Sequence, residues 1–340
     1  MPQPLVLTLG EPAGIGPDIT FAAWRRRAEF QLAPFYLIGD VAFIRRCAER
    51  IAPDLKIQPI EPPSVCAVFD TALPVLDSGV PVTADPGRPD QTSAPAALAS
   101  IRRAVGDVLS GAARAVVTNP VAKNILYQSG FAEPGHTEFL ARLATEAGGT
   151  SCRAVMMLWS PELAVVPVTI HLPIKQVVAK LSTSLIVETG RIVARDLRER
   201  FGISNPRLAI AGLNPHAGED GALGDEDLTV VRPAVKRLKA EGINARGPLP
   251  ADSLFHPAAR ASYDVVLAMY HDQALIPIKT VAFDHAVNVT LGLPFVRTSP
   301  DHGTAFDIAG TGQADPGSLI AALQLAAKLS GKREAGAASS

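Results

Sequence analysis

From residue 4 to residue 272 the chain keeps returning to one pattern: a short apolar run rich in branched residues, then a longer amphipathic stretch. The runs are "PLVLTLG" (4–10), "FYLIGD" (35–40), "ARAVVTNP" (113–120), "RAVMMLW" (153–159), "LAVVPVTIHLP" (163–173), "PRLAIAGLNP" (206–215) and "DVVLAMYHD" (264–272). Near-continuous apolar runs of this length read as strands buried on both faces. Between them, 94–110 and 174–201 carry helical spacing. Strand alternating with helix predicts an α/β fold with a largely parallel sheet.

The 340 residues suit two lobes or one large α/β unit, and a 47% hydrophobic content supplies a sizeable core. The net charge of -1 offers no general attraction to nucleic acid or anionic lipid. The densest basic run, "WRRR" at 24–27, reads as a solvated helix face. Cys47, Cys66 and Cys152 are scattered and odd in number, which is no disulfide framework. The N-terminus lacks the basic and apolar regions of a signal peptide, and no apolar run reaches the ~20 residues that span a bilayer. A cytoplasmic protein with neither membrane nor nucleic-acid partner is expected. Loops at 77–93 and 213–227 are long enough to suggest function. Residues 331–340 read as a frayed tail.

Chemistry gathers where strands end. His171, His216 and His271 each follow a predicted buried strand within a few residues. Ligands of open parallel sheets bind at that edge. Three imidazoles there could hold one divalent metal and leave positions for a substrate. Taken singly, a strand-end histidine is more often a hydrogen-bonded loop residue than a ligand, and the spacing matches no short metal motif. His136 and Thr137 stand just before or at the start of an amphipathic helix, where free N–H groups favour an anion such as phosphate. A helix cap by Thr137 is the alternative. Lys279 and Arg297 sit in apolar company, and Arg suits phosphate or carboxylate.

"LGEPAGIGPDI" (9–19) allows a tight turn before a helix but is not Gly-x-Gly-x-x-Gly, so a conventional Rossmann site is not supported. "DHGTAFDIAGTGQADP" (301–316) resembles the cofactor loop of the isocitrate and isopropylmalate dehydrogenases. With "PVAKNIL", "GHTEFL", "LNPHAGEDG", "YHDQALIPIK" and "NVTLGLPFVRTSPDHGTA", the pattern over roughly residues 5–327 closely resembles the 4-hydroxythreonine-4-phosphate dehydrogenase family.

That resemblance implies a two-lobed isocitrate/isopropylmalate dehydrogenase-like fold with an active-site cleft between lobes. The expected lobes are 1–130 plus 290–330 on the cofactor side, and 131–289 for metal, substrate and dimerisation. It implies a homodimer with a shared active site and a phosphorylated amino-acid substrate. It also implies NAD, with NADP possible, and one divalent metal (Zn, Mg, Co or Mn) on His171, His216 and His271. Substrate contacts would fall to His136, Thr137, Lys279, Asn288 and Arg297. Cofactor contacts would fall to Gly14, Gly16, His302, Gly303, Ala305 and Asp307. Lys279 and Asp272 are candidate bases, with Asp252 near the metal. The expected reaction is oxidation of 4-phosphohydroxy-L-threonine and decarboxylation in pyridoxine biosynthesis. Rival readings are a paralogous 4-phospho-D-threonate or 4-phospho-D-erythronate dehydrogenase and, more remotely, a phosphate acyltransferase.

Overall fold

The computed structural model describes residues 3–61, 65–128, 133, 135–147 and 152–337. The chain divides into two compact units, residues 1–154 with 293–340, and 155–292. The divisions between these units fall at 154/155 and 292/293.

In the first unit the elements are β1 (Leu5–Thr8), α1 (Gly16–Arg25), β2 (Phe35–Gly39), α2 (Val41–Ile51), β3 (Ile57–Pro59), α3 (Val65–Val68), β4 (Leu73–Asp77), α4 (Ser93–Leu109), β5 (Ala115–Thr118), α5 (Lys123–Gln128) and α6 (His136–Glu146). The second unit holds β6 (Val155–Trp159), β7 (Ala164–Pro167), α7 (Ile174–Lys180), α8 (Thr183–Glu199), β8 (Leu208–Ala211), α9 (Arg232–Ala240), β9 (Ala245–Leu249), α10 (Pro257–Arg260), β10 (Val265–Ala268), α11 (His271–Ala282) and β11 (Val287–Leu291). The chain then returns to the first unit for β12 (Val296–Pro300) and α12 (Gly317–Ala337).

The first unit's strands lie in the order β3-β4-β2-β1-β5-β12, every pair parallel. β1 and β5 are neighbours although the chain leaves β1 toward β2, so the order reverses between them. Ligands favour such a switch point at the carboxyl ends of strands. α6 belongs here because its apolar face, Phe139, Leu140 and Leu143, joins the core of Val6, Tyr36, Ile101 and Val105.

The second unit's strands run β11-β6-β7-β10-β8-β9. β7, β10, β8 and β9 are parallel, while β6 is antiparallel to both its neighbours. β7, β8 and β10 are buried throughout. The helical pattern at 174–201 is two helices. Ser182 ends the first at Leu181 and caps the second, accepting the Leu185 N–H at 3.2 Å. At the other end, α12 extends to Ala337, and residues 338–340 of the expected tail lie outside the described residues. No described helix is long and apolar enough to cross a membrane.

Candidate active site

In the second unit the three expected histidines follow three adjacent parallel strands, β7, β10 and β8. His171 stands four residues beyond Pro167, His271 three beyond Ala268 and His216 five beyond Ala211. His171 and His271 come together, with ring centroids 6.1 Å apart. They line one cavity of about 350 Å³ with Thr169, Leu172, Tyr270 and Asp272. His216 does not join them: among the described residues no three His, Cys, Asp or Glu side chains gather as a metal-holding group.

The reason lies in the backbone. Residues 215–221 form a turn in which His216, Ala217, Gly218, Glu219 and Asp220 all have positive φ. This left-handed run turns His216 toward its own loop, where Nδ1 meets Glu219 Oε1 at 2.5 Å. Glu219, through that bond and its charge, raises the His216 pKa above the ordinary range, and nearby Asp252 adds to the effect. His171 is also left-handed, at φ 53. Such conformations in L-residues cost free energy and cluster at functional sites.

The donors fit a divalent cation in type. His271 Nδ1 meets Asp272 Oδ1 at 2.7 Å, as His216 Nδ1 meets Glu219. A carboxylate accepting from Nδ1–H leaves Nε2 with its lone pair outward, the orientation of a metal-ligating imidazole. Among the described residues no third His, Cys, Asp or Glu completes a metal-holding group with His171 and His271.

Asp272 is thereby engaged in orienting His271. Lys279 lies on α11 in a row with Asp272, Ile276 and Phe283, its Nζ 5.8 Å from the Phe283 ring centre. Asn288, on β11 opposite Leu158, has a buried Oδ1 with no protein hydrogen-bond partner.

The first unit holds the anion-binding candidates. Arg297 on β12 is 4% exposed. Its Nη2 and Nε donate to the Thr118 hydroxyl, at 2.6 and 3.2 Å, from the end of neighbouring β5. Burial lowers its pKa to about 10, which still leaves it cationic at neutral pH. Nη2 also lies 3.5 Å from His136 Nδ1. Burial, then the charges of Arg297 and Lys123, hold the His136 pKa well below the ordinary imidazole range. A neutral His136 that receives Arg297 on Nδ1 carries its proton on Nε2. That nitrogen is buried and has no hydrogen-bond partner among the described residues. Helix α6 starts at His136 with Gly135 as its N-cap and no capping side chain, so Thr137 is not the cap. The helix start therefore keeps N–H groups for an anion.

The expected cofactor residues fall on two loops of this unit. Gly14 and Gly16 have no room for a Cβ: it would stand 2.9 Å from Thr304 O at Gly14 and 2.7 Å from Leu9 O at Gly16. These glycines pack against the chain's own backbone. Gly303 faces open space, Ala305 is left-handed at φ 41, and Asp307 is exposed. His302 Nδ1 lies 3.1 Å from Gly303 O, and its Nε2 is buried without a partner.

Sequence reasoning missed Thr118, Lys123 and Glu219. Only Glu219 left a local trace, standing three residues after His216. Thr118 meets Arg297 across 179 residues, a pairing that the sheet alone creates.

Residues 31–326 match the family model of the pyridoxal phosphate biosynthetic protein PdxA. A 4-hydroxythreonine-4-phosphate dehydrogenase of Bradyrhizobium diazoefficiens is 61% identical over 335 residues, covering 96% of this chain and 97% of that protein. The crystal structure of a 4-hydroxythreonine-4-phosphate dehydrogenase from Klebsiella pneumoniae superposes with a TM-score of 0.85 at 37% identity, covering 97% of this chain and 98% of that one. A terephthalate 1,2-cis-dihydrodiol dehydrogenase from Burkholderia xenovorans LB400 superposes at 0.64 with 30% identity, covering 96% and 98%. The chain belongs to the PdxA family of pyridoxal phosphate biosynthetic proteins.

Proposed function

We propose that this enzyme oxidises 4-phosphohydroxy-L-threonine at C3 with NAD and releases CO₂ from the resulting β-keto acid, giving 3-amino-2-oxopropyl phosphate. The observation that carries the reading is the pair of Arg297 and His136. A cation buried to 4% exposure lies beside a neutral imidazole whose outer N–H lacks a protein acceptor. A phosphate monoester would accept from that N–H and lie against the Arg297 cation.

In this reading Arg297, His136, Lys123 and the N-terminus of α6, with Thr137, hold the phosphate. Asn288 Oδ1 accepts a hydrogen bond from the substrate's ammonium group. Lys279, rather than the engaged Asp272, takes the C3 hydroxyl proton. A nicotinamide dinucleotide held by the 301–312 loop would supply the hydride acceptor for C3. His171 and His271 would hold the divalent metal, His271 through the Nε2 that its Nδ1–Asp272 bond leaves outward. When bound, the metal supplies Lewis-acid stabilisation of the charge that develops on the C3 oxygen during oxidation and decarboxylation.

The third metal donor comes from a second copy, as His216 with Asp252 nearby. α7 and α11 support this. Ile174 and Val178 are exposed on the first, and Ile276 (65% exposed) and Phe283 (74%) form an apolar stripe on the second. Both helices begin at the His171–His271 cavity. Exposed apolar area beside a polar site is characteristic of an interaction surface.

The test is NADH formation from 4-phosphohydroxy-L-threonine, with and without chelator, and with 4-phospho-D-threonate and 4-phospho-D-erythronate as competitors. Chelator-sensitive turnover preferring the amino acid is expected. Turnover on only the hydroxy acids would overturn the substrate assignment. Undiminished turnover in chelator would overturn the metal assignment.

A further inference from the structure

Asp18 has no part in the chemistry above, yet it joins the two glycine segments of the first unit. It sits in the first turn of α1 and is 5% exposed. Its two oxygens accept the Gly310 N–H at 3.0 and 3.1 Å, and Oδ1 also lies 3.2 Å from the Gly312 N–H. From the other side, Arg50 Nε donates to Gly310 O at 3.1 Å. Ile15 N–H donates to Thr304 O at 3.0 Å. Gly310 and Gly312 are left-handed, at φ 70 and 72, so the chain can present successive N–H groups to one carboxylate.

The loop held this way carries no regular helix or strand from Asp301 to Asp315. Such a segment is mobile unless its backbone groups are bonded, and ordering it on binding costs affinity. One buried carboxylate receives two backbone N–H groups where the loop turns back. Bonds of that kind, to a charged acceptor, are stronger than neutral ones.

We propose that Asp18 is a positioning residue for the dinucleotide: by tying Gly310 and Gly312 to α1 it holds His302, Gly303, Ala305 and Asp307 in their binding arrangement before the ligand arrives. The inference rests on the reading of 301–312 as the dinucleotide loop. It does not require Asp18 to touch the ligand.

The experiment uses the full-length protein and compares Asp18→Asn with the unaltered chain. NADH affinity is read by fluorescence titration, amide exchange of 301–316 by mass spectrometry, and kcat and KM for both substrates by steady-state kinetics. In asparagine the amide NH₂ replaces one accepting oxygen and faces an N–H. Faster exchange at 308–312 is expected, with the NADH Kd raised about tenfold, as for one lost bond to a charged acceptor. The KM for NAD should rise with it, while kcat and the KM for the phosphorylated substrate stay within about twofold, as follows from uniform binding loss. Unchanged exchange and unchanged Kd would overturn the latch. Faster exchange with unchanged Kd would overturn the proposal differently, by showing that the loop does not hold the dinucleotide. Should Asp18→Asn fail to fold, Gly312→Ala disturbs the same turn from the loop side, where φ is 72 and a Cβ meets nothing closer than 3.9 Å. It is expected to raise the NADH Kd as well, and an unaltered value would overturn the proposal.

Discussion

Arg297 shows how a single residue acquires meaning from its surroundings. A guanidinium so deeply buried needs polar company, and the Thr118 hydroxyl and His136 Nδ1 are part of it. Arg297→Met should raise the KM for the phosphorylated substrate by at least tenfold, in keeping with the ~2–5 kcal/mol cost of removing one member of a buried charge pair. An unchanged KM would remove Arg297 from the phosphate site. His136 yields a pH prediction. Its folded pKa lies below the unfolded value near 6.5, because burial and neighbouring cations oppose protonation. Its contribution to stability is therefore complete above that unfolded pKa and is lost as pH falls toward the folded one. His136→Gln should flatten the fall in urea midpoint between pH 7.5 and 5.5. An identical fall in both proteins would refute it. Asp307, exposed on its loop, should disfavour the extra phosphate of NADP. Asp307→Ala is expected to narrow the kcat/KM ratio between NAD and NADP, and an unmoved ratio would leave the carboxylate without a role in cofactor choice.

Among the elements, the turn at 215–221 is the most unusual. Four of its six left-handed residues are not glycine. Each such residue costs roughly 1–2 kcal/mol relative to the right-handed form. Buried Asp227 offsets part of that cost. Its two oxygens accept the Leu213 and Asn214 N–H groups at 2.8 and 2.9 Å. Asn214 Nδ2 in turn donates to Glu226 at 2.8 Å, and Arg232 donates to Asp220 at 2.8 Å. Asp227→Asn should lower unfolding stability by about 1–3 kcal/mol, the cost of leaving a buried N–H unsatisfied. Because the turn carries His216, the variant should also bind Zn²⁺ more weakly in calorimetric titration. Wild-type affinity with reduced stability would detach the turn from the metal.

For the whole molecule, the prediction concerns copies. If the α7–α11 stripe is covered by a second chain, Phe283→Asp should sediment as a monomer at concentrations where the parent is a dimer. Its thermal midpoint should become independent of concentration. Metal content should fall in the same variant, since the His171–His271 pair would lose the donor supplied in trans. A dimeric Phe283→Asp with full metal would place the interface elsewhere.

The sequence by itself determined the α/β class and the seven strands of the alternating pattern, because burial on both faces leaves a mark within a few consecutive residues. It also carried the family resemblance in motifs that stay in order along the chain. β3, β4, β9, β11 and β12 were not read as strands. β3 is an edge of three residues with two exposed, and β11 and β12 flank Gly292 and Pro294 in a stretch that reads as loop. Tertiary structure alone decided which strand ends become neighbours. It brought His171 to His271, kept His216 on a left-handed turn, and set Thr118 and His136 around Arg297. The strand-end pairings depend on sheet order and the His216 turn on a local carboxylate, Asp227, and no periodicity of two or 3.6 residues encodes a contact across a hundred or more.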